Sequence, residues 1–217
     1  IKKHMDGVIF AGEVDIRVIE EFRKQSIPVV LVNNYLDMDG LVCISADHYG
    51  GAVQATEYLC KLGHCKIGLL SGRFSPQVSE ARIEGFVKTL AKYDIPVDDR
   101  FIADIEPALE DGEEIMTRML REVDRPTAFF CTNDTIAAGA MKAVTRAGLR
   151  VPEDIAIIGF DDSYISRVVE PELTTVRIDA AKMGCLAMQT LFDLIAGMPV
   201  EKAHIQIPTE LIVRGTA

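Results

Sequence analysis

The sequence is short of positive charge. It has 33 aspartates and glutamates but only 23 lysines and arginines, which gives a formal net charge of −10 at pH 7. Because nucleic acid carries a dense negative charge, a chain this acidic is not expected to bind DNA or RNA tightly by itself. The deficit argues against a nucleic-acid-binding domain within this chain.

Membrane and export signals are also lacking. No apolar run approaches the roughly 18 residues that a helix needs to cross a bilayer, and residues 1–10 have no apolar core of the signal-peptide type. The five cysteines are odd in number, form no CxxC, and several lie in apolar runs such as AFFCT (128–132). We therefore expect a cytoplasmic protein with reduced, buried thiols and no contact with a membrane.

Signatures of catalysis are absent as well. There is no GxSxG motif, no GxxxxGK[ST] loop and no GxGxxG after a predicted strand. No two of the four histidines fall at zinc-ligand spacing. The adjacent Asp161 and Asp162 lack the further oxygen ligands, or the lysine, that a magnesium site for phosphoryl transfer needs. We predict no enzymatic activity, no bound metal and no cofactor.

What the sequence does contain is a regular alternation of short apolar runs and segments with helical spacing. The predicted strands are 7–11, 28–33, 42–46, 66–71, 101–105, 127–132 and 155–160, followed by two short extended pieces, HIQIP (204–208) and ELIVR (210–214). The predicted helices are 15–25, 48–63, 77–92, 112–123, 134–147 and 180–196. This order predicts an α/β fold with parallel sheets flanked by helices.

Single residues mark several helix ends. Gly63 and Gly148 each follow a predicted helix, where a left-handed residue commonly ends it. Asp134 opens another predicted helix, as an N-cap candidate. The helix at 180–196 is apolar almost all round, which predicts that it serves both the core and a subunit interface.

Polar residues follow the predicted strands. Asn33, Asn133 and Asp161 each come at or directly after the end of an apolar run, and Arg82 opens the helix after the fourth strand. In open α/β sheets, ligands bind beyond the carboxyl ends of the strands. Carboxylate, carboxamide and guanidinium groups suit a small ligand rich in hydroxyls or ring nitrogens. We predict that these four residues bind such a ligand.

Three stretches are more specific than any periodicity: TNDTIAAGAM (132–141), GLRVPEDIAIIGFDD (148–162) and PELTTV (171–176). With SEARIEGF (79–86) and IPVVLVNN (27–34), they closely resemble the effector-binding core of the lactose/galactose-repressor family of transcription regulators. The resemblance covers essentially the whole chain.

The resemblance implies a periplasmic-binding-protein-like fold of two α/β lobes that hold an effector between them. The amino-terminal lobe is expected at 1–47 and 178–209, and the carboxyl-terminal lobe at 48–177 and 210–217. The family's effector contacts match the same four residues that follow from the strand ends. The family's DNA-binding headpiece and first two βα units are not found, and residues 1–10 match its third strand. We therefore expect this chain to be a portion of a longer protein.

In the function that the resemblance implies, a sugar, sugar phosphate or nucleobase binds between the lobes of a homodimer. The effector controls DNA binding allosterically through the headpiece, and a protein co-effector is a further partner that the family allows. The alternative is a solute-binding protein of a sugar transporter, because the fold is shared and fold does not fix function. An enzyme of the doubly wound class is a second alternative, although no residue pattern supports it.

Overall fold

The computed structural model describes residues 5–34, 36, 38, 40–200 and 203–217. The elements in chain order are β1 Val8–Ala11, α1 Ile16–Lys24, β2 Val29–Val32, β3 Val42–Ala46, α2 His48–Lys61, β4 Ile67–Gly72, α3 Pro76–Lys92, a 3₁₀ turn Asp99–Phe101, β5 Ile102–Ile105, α4 Leu109–Met119, β6 Ala128–Cys131, α5 Asp134–Arg146, β7 Ala156–Asp161, α6 Ile165–Val168, β8 Thr174–Arg177, α7 Ala180–Ile195, β9 His204–Ile207 and β10 Glu210–Ile212.

The chain divides into two compact units. The smaller consists of Ile1–Asp47 and Asp179–Pro208, and the larger of His48–Ile178 and Thr209–Ala217. The assignment of these units to the two lobes of an effector-binding domain stays a prediction.

The smaller unit contains a four-stranded sheet in the order β1-β2-β3-β9, and every neighbouring pair is parallel. Ile19 of α1 packs against Leu31 and Cys43. Because side chains alternate along a strand, the neighbours Val30 and Ile44, both fully buried, point to the opposite face of the sheet. Helix α7, which contacts β1, β2 and β3, covers that face.

Helix α7 is only partly a core helix. Met183 and Leu191 are buried, whereas Met188, Phe192 and Ile195 are exposed. The exposed apolar side chains lie about one turn apart, so they form one stripe along the helix. None of the helices in the described ranges is both long and apolar enough to span a membrane.

The larger unit contains a six-stranded sheet in the order β10-β8-β7-β6-β4-β5. Only β10 is antiparallel to its neighbour among these strands. Alternating side chains of β6 show the layers: Phe129 packs with residues of α4 and α5, and Phe130 packs with residues of α2 and α3. The parallel strands are thus buried on both faces, and their carboxyl ends meet at one edge.

The predicted fold class is confirmed, and each predicted strand is present. Strand β8 was not predicted, because TTVR contains no apolar run. The helix predicted at 112–123 was misplaced, since it begins at Leu109, where Glu110 and Asp111 in its first turn favour a helix start. HIQIP and ELIVR form edge strands, one in each sheet.

The predicted helix-ending glycines are confirmed, since Gly63 has φ 91° and Gly148 has φ 76°. All five cysteines are free. Cys43, Cys60 and Cys131 are buried as expected, but the prediction was wrong for the two others, which are exposed.

Candidate functional site

Arg82 is the centre of a polar cluster at the carboxyl edge of the larger sheet. Its side chain projects from α3 and the residue is only 3% exposed. The guanidinium donates hydrogen bonds to the carbonyl oxygen of Thr132 and to Oδ1 of Asp161, the latter at 3.2 Å. It also lies over the rings of Phe74 and Phe160, at 4.9 Å and 3.9 Å from their centroids. Two of the predicted residues, Arg82 and Asp161, are therefore in direct contact.

His48 is a further member of this cluster that the sequence did not reveal. Its Nδ1 lies 3.3 Å from Nε of Arg82 and accepts a hydrogen bond from it. Burial, together with the positive charge of Arg82, lowers the pKa of His48 to about 3. The imidazole is therefore neutral at physiological pH, and its Nδ1 is available as the acceptor for the guanidinium. In the sequence, the spacing of the histidines was examined only for metal binding, and that spacing does not indicate a contact between His48 and Arg82.

Asp161 ends β7 and presents its carboxylate to Arg82. Burial raises the pKa of Asp161 to about 6; the charge of Arg82 opposes this shift and that of Asp134 adds to it. The side chain nevertheless keeps 38% of its surface exposed. An acceptor that is partly desolvated yet accessible suits a ligand that donates hydrogen bonds.

At the start of α5, the N-cap is Asn133 and not the predicted Asp134. Asn133 is the N-cap, and its Oδ1 accepts from the backbone N–H of Ile136 at 2.8 Å. The expectation that Asp134 caps this helix was wrong. Asp134 is buried, and it accepts hydrogen bonds from the backbone N–H of Ser163 at 2.6 Å and from the hydroxyl of Thr175 at 2.5 Å. It thereby connects the start of α5 to the loop after β7.

Asn33 lies in the smaller unit, directly after β2. Its backbone has φ 50°, and its side-chain Oδ1 accepts a hydrogen bond from the backbone N–H of Ala46 at 3.3 Å. The other three predicted residues all belong to the larger unit. The structure thus brings Arg82 and Asp161 together, with Asn133 next in sequence to Thr132, the carbonyl partner of Arg82.

A buried hydroxyl adds polar capacity near the same edge. Ser71 is the penultimate residue of β4, and its side-chain oxygen has no hydrogen-bond partner within the part of the chain that the structure describes. Among the same residues, no group of three or more histidine, cysteine, aspartate or glutamate side chains is placed to hold a metal ion. The edge thus presents hydrogen-bond donors and acceptors, among them the side chains of Arg82, Asp161 and Asn133.

Comparison with known proteins identifies relatives of one kind, transcriptional repressors. The family described as periplasmic binding protein-like domain matches residues 56–217. The chain is 35% identical to the probable HTH-type transcriptional repressor ExuR of Bacillus subtilis over 96% of this chain and 63% of that protein. It is 34% identical to the HTH-type transcriptional repressor PurR of Pasteurella multocida over 99% of this chain and 65% of that protein. The chain spans just under two thirds of the length of these curated relatives.

Solved structures similar to this chain are also transcriptional regulators. A regulatory protein of the LacI family from Chloroflexus aggregans superimposes with a TM-score of 0.89 at 31% identity, over 97% of this chain and 76% of that one. The transcriptional regulator CelR in complex with cellobiose gives a TM-score of 0.90 at 26% identity, over 100% of this chain and 67% of that one. The resemblance found in the sequence is confirmed: the chain belongs to the LacI family of transcriptional regulators, and it carries that family's periplasmic-binding-protein-like domain.

Proposed function

We propose that this chain is the effector-sensing part of a DNA-binding transcriptional repressor that acts in the cytoplasm. A small polar ligand binds at the carboxyl edge of the larger sheet and changes the affinity of the whole protein for its operator. The observation that carries the proposal is the buried guanidinium of Arg82, which is fixed by Thr132 and His48 and paired with Asp161 at 3.2 Å. Such a fixed pair of donor and acceptor selects ligands by hydrogen-bond geometry.

A sugar or sugar derivative is the ligand class that we favour. Sugar hydroxyls both donate and accept, so they match Asp161 as acceptor, Arg82 as donor and the carboxamide of Asn133 as both. Two similar regulators have been solved with sugars, CelR with cellobiose and a regulator from Enterococcus faecium with ribose. A sugar phosphate or a nucleobase would use the same groups, so both belong in the test.

The relatives favour this function over the alternatives. Both curated relatives named above are transcriptional repressors, whereas a solute-binding protein would be expected to resemble transporter components. The same comparison gives no support to an enzyme of the doubly wound class. Control of DNA binding then requires that the ligand binds one conformation of the protein more tightly than another.

We also infer that the protein is a homodimer and that it binds DNA through a headpiece outside this chain. Support comes from the stripe of exposed apolar side chains on α7, Met188, Phe192 and Ile195, which is costly to leave in water. Sedimentation equilibrium of the full-length protein is expected to give the dimer mass. A monomer at every concentration would contradict the dimer, and a second protein bound in its place would indicate a co-effector.

A thermal-shift screen of the full-length protein against sugars, sugar phosphates, purines and amino acids tests the function. A ligand at a hundred times its dissociation constant adds about 2.7 kcal/mol of stability, or a rise in Tm of about 5 to 10 °C for a domain of this size. In Asp161→Asn, which loses a charged acceptor, we expect the affinity to fall by at least about tenfold. Asp154→Asn is the matched control, because Asp154 also pairs with an arginine, Arg150, but lies before β7 and not at its end.

The pH dependence of binding supplies a second control. A ligand that donates to Asp161 binds the ionised carboxylate, and the pKa of Asp161 is about 6. The affinity is therefore expected to be highest above pH 6 and to fall by up to about tenfold for each pH unit below it. Asp161→Asn should remove this dependence. An unchanged Kd in Asp161→Asn, or no stabilising compound in any class, would count against the proposed site.

A further inference from the structure

The strand that carries Asp161 ends in an unusual backbone turn. Asp161 has φ 104° and the following residue, Asp162, has φ 50°. Residues with a Cβ atom rarely adopt such positive values, and two in succession are not held there by local preference. Contacts from the surrounding structure must therefore hold the turn.

Asp162 provides those contacts. Its side chain is 2% exposed, and its Oδ2 accepts from Nε of Arg177 at 2.8 Å. Its Oδ1 accepts from Nη2 of Arg214 at 2.5 Å and from the hydroxyl of Ser166 at 2.9 Å. A third guanidinium, that of Arg167, lies 3.5 Å away. Although burial opposes ionisation, the hydrogen bonds from Arg214 and Arg177 keep the pKa of Asp162 at about 2, so the carboxylate is charged at neutral pH.

The guanidinium partners come from segments that are distant in sequence. Arg177 ends β8 and is the cross-strand partner of Asp161. Arg214 follows β10 and also donates to the carbonyl oxygen of Leu173 at 2.7 Å. The chain leaves the larger unit after Ile178 and returns to it at Thr209. Asp162 therefore ties the turn after β7 to the end of β8 and to the segment that follows β10.

The next residue of the turn is fixed as well. The backbone N–H of Ser163 donates to the buried carboxylate of Asp134 at 2.6 Å. Within the described ranges, the side chain of Asp161 makes one hydrogen bond, the one from Arg82. Its orientation thus depends on the backbone that the Asp162 side chain and the Ser163 N–H hold in place.

We propose that Asp162 is the positioning residue of the ligand site, and that its ion pairs with Arg177 and Arg214 hold the turn so that the Asp161 carboxylate faces Arg82. This inference rests on the proposed function, in which Asp161 contacts the ligand. Asp162 itself is enclosed by its partners and does not touch the ligand. Its effect on binding is exerted through Asp161.

The test follows the Asp161 carboxyl itself and needs no ligand. The ¹³C resonance of that carboxyl is titrated with pH in the wild-type protein, in Asp162→Asn and in Arg177→Met. The charged and titratable groups that face Asp161 are Arg82, Asp134 and, beyond Arg82, His48, and none of these is changed. If the turn relaxes, Asp161 moves into water and its pKa is expected to fall by more than one pH unit from about 6, toward 3.8.

The two variants separate positioning from a direct effect of charge. Through space alone, loss of the Asp162 carboxylate would lower the pKa of Asp161, and loss of the Arg177 guanidinium would raise it. Loss of positioning lowers it in both variants. Glu210→Gln is the matched control, because it removes another partner of Arg177, 3.5 Å away, but leaves the contact of Arg177 with Asp162. It should leave the titration of Asp161 unchanged.

A fall of the Asp161 pKa in both variants, with cooperative unfolding retained, supports the positioning role. If Asp162→Asn does not fold, a fall in Arg177→Met decides alone, because the direct effect of charge has the opposite sign. Shifts in opposite directions, or a value that stays near the wild-type one, would overturn the proposal. The ligand screen answers a separate question, so a failure of the proposed function is distinguishable from a failure of this one.

Discussion

Replacement of Phe130 by alanine is expected to lower the free energy of unfolding by about 4 kcal/mol. Phe130 is fully buried in β6. Its ring centroid lies 6.5 Å from that of Phe86 on α3 and 6.3 Å from that of Phe160 on β7. Removal of the ring would leave a cavity between the sheet and its helices, and packed surroundings fill such a cavity only in part. Urea denaturation followed by circular dichroism measures the loss.

Tyr164→Ala is the matched control for this substitution. Tyr164 is an aromatic residue of the same unit that is 77% exposed, so its removal should change the free energy of unfolding by no more than about 0.5 kcal/mol. A loss below about 2 kcal/mol in Phe130→Ala would show that the neighbouring side chains collapse into the cavity. That result would contradict a tightly packed core on this face of the sheet.

Gly139→Ala is expected to destabilise the protein by about 3 kcal/mol, at the upper end of the usual cost of overpacking. Gly139 lies within α5, and a Cβ atom there would lie 2.0 Å from the carbonyl oxygen of Leu109 and 2.8 Å from the backbone nitrogen of Glu113. A Cβ atom at Gly112 of α4 would likewise lie 2.5 Å from the carbonyl oxygen of Ile136. The two helices pack backbone to backbone at these glycines, so they must separate to admit a methyl group.

The sign of the stability change in Gly139→Ala shows whether α4 and α5 are in close contact. Within a helix, alanine is normally more stable than glycine by about 1 kcal/mol, so without the clash Gly139→Ala would stabilise α5. Thr145→Ala, at an exposed position of the same helix, gains helix propensity without a clash and should change stability by less than about 0.5 kcal/mol. Differential scanning calorimetry of both variants compares the two effects. A Gly139→Ala protein as stable as wild type would mean that α4 and α5 are not in contact at this point.

Much of the fold followed from local patterns. IAIIGF (155–160) is apolar without alternation, which predicts a strand covered on both faces, and β7 is such a strand. Gly63 and Gly148 end helices because only glycine adopts positive φ without a steric cost. The predictions failed where the local sequence signal was weak or ambiguous. Strand β8 was missed because its threonines do not form an apolar run. The N-cap of α5 was misassigned because Asn133 and Asp134 are both good N-cap residues.

The candidate site was predictable only in part, because some of its contacts leave no local signal in the sequence. The rule that ligands bind beyond strand ends selected Asn33, Asn133 and Asp161, Arg82 was added as a cation at the start of the next helix, and the family resemblance pointed to the same four residues. Neither source indicated that His48 would accept a hydrogen bond from Arg82. A neutral buried histidine leaves no spacing signal, because its role depends on a partner 34 residues away.

The sequence by itself determined the fold class, the positions of the strands and the kind of chemistry at their ends, since each depends on residues that are neighbours along the chain. Only the tertiary structure decided which side chains meet. Arg82 reaches Asp161 across 79 residues of sequence, and Asp162 reaches Arg214 across 52. These contacts depend on the strand order, which places β8 beside β7 and inserts β6 between β7 and β4. Strand order is set by the packing of the whole unit, and no local pattern encodes it.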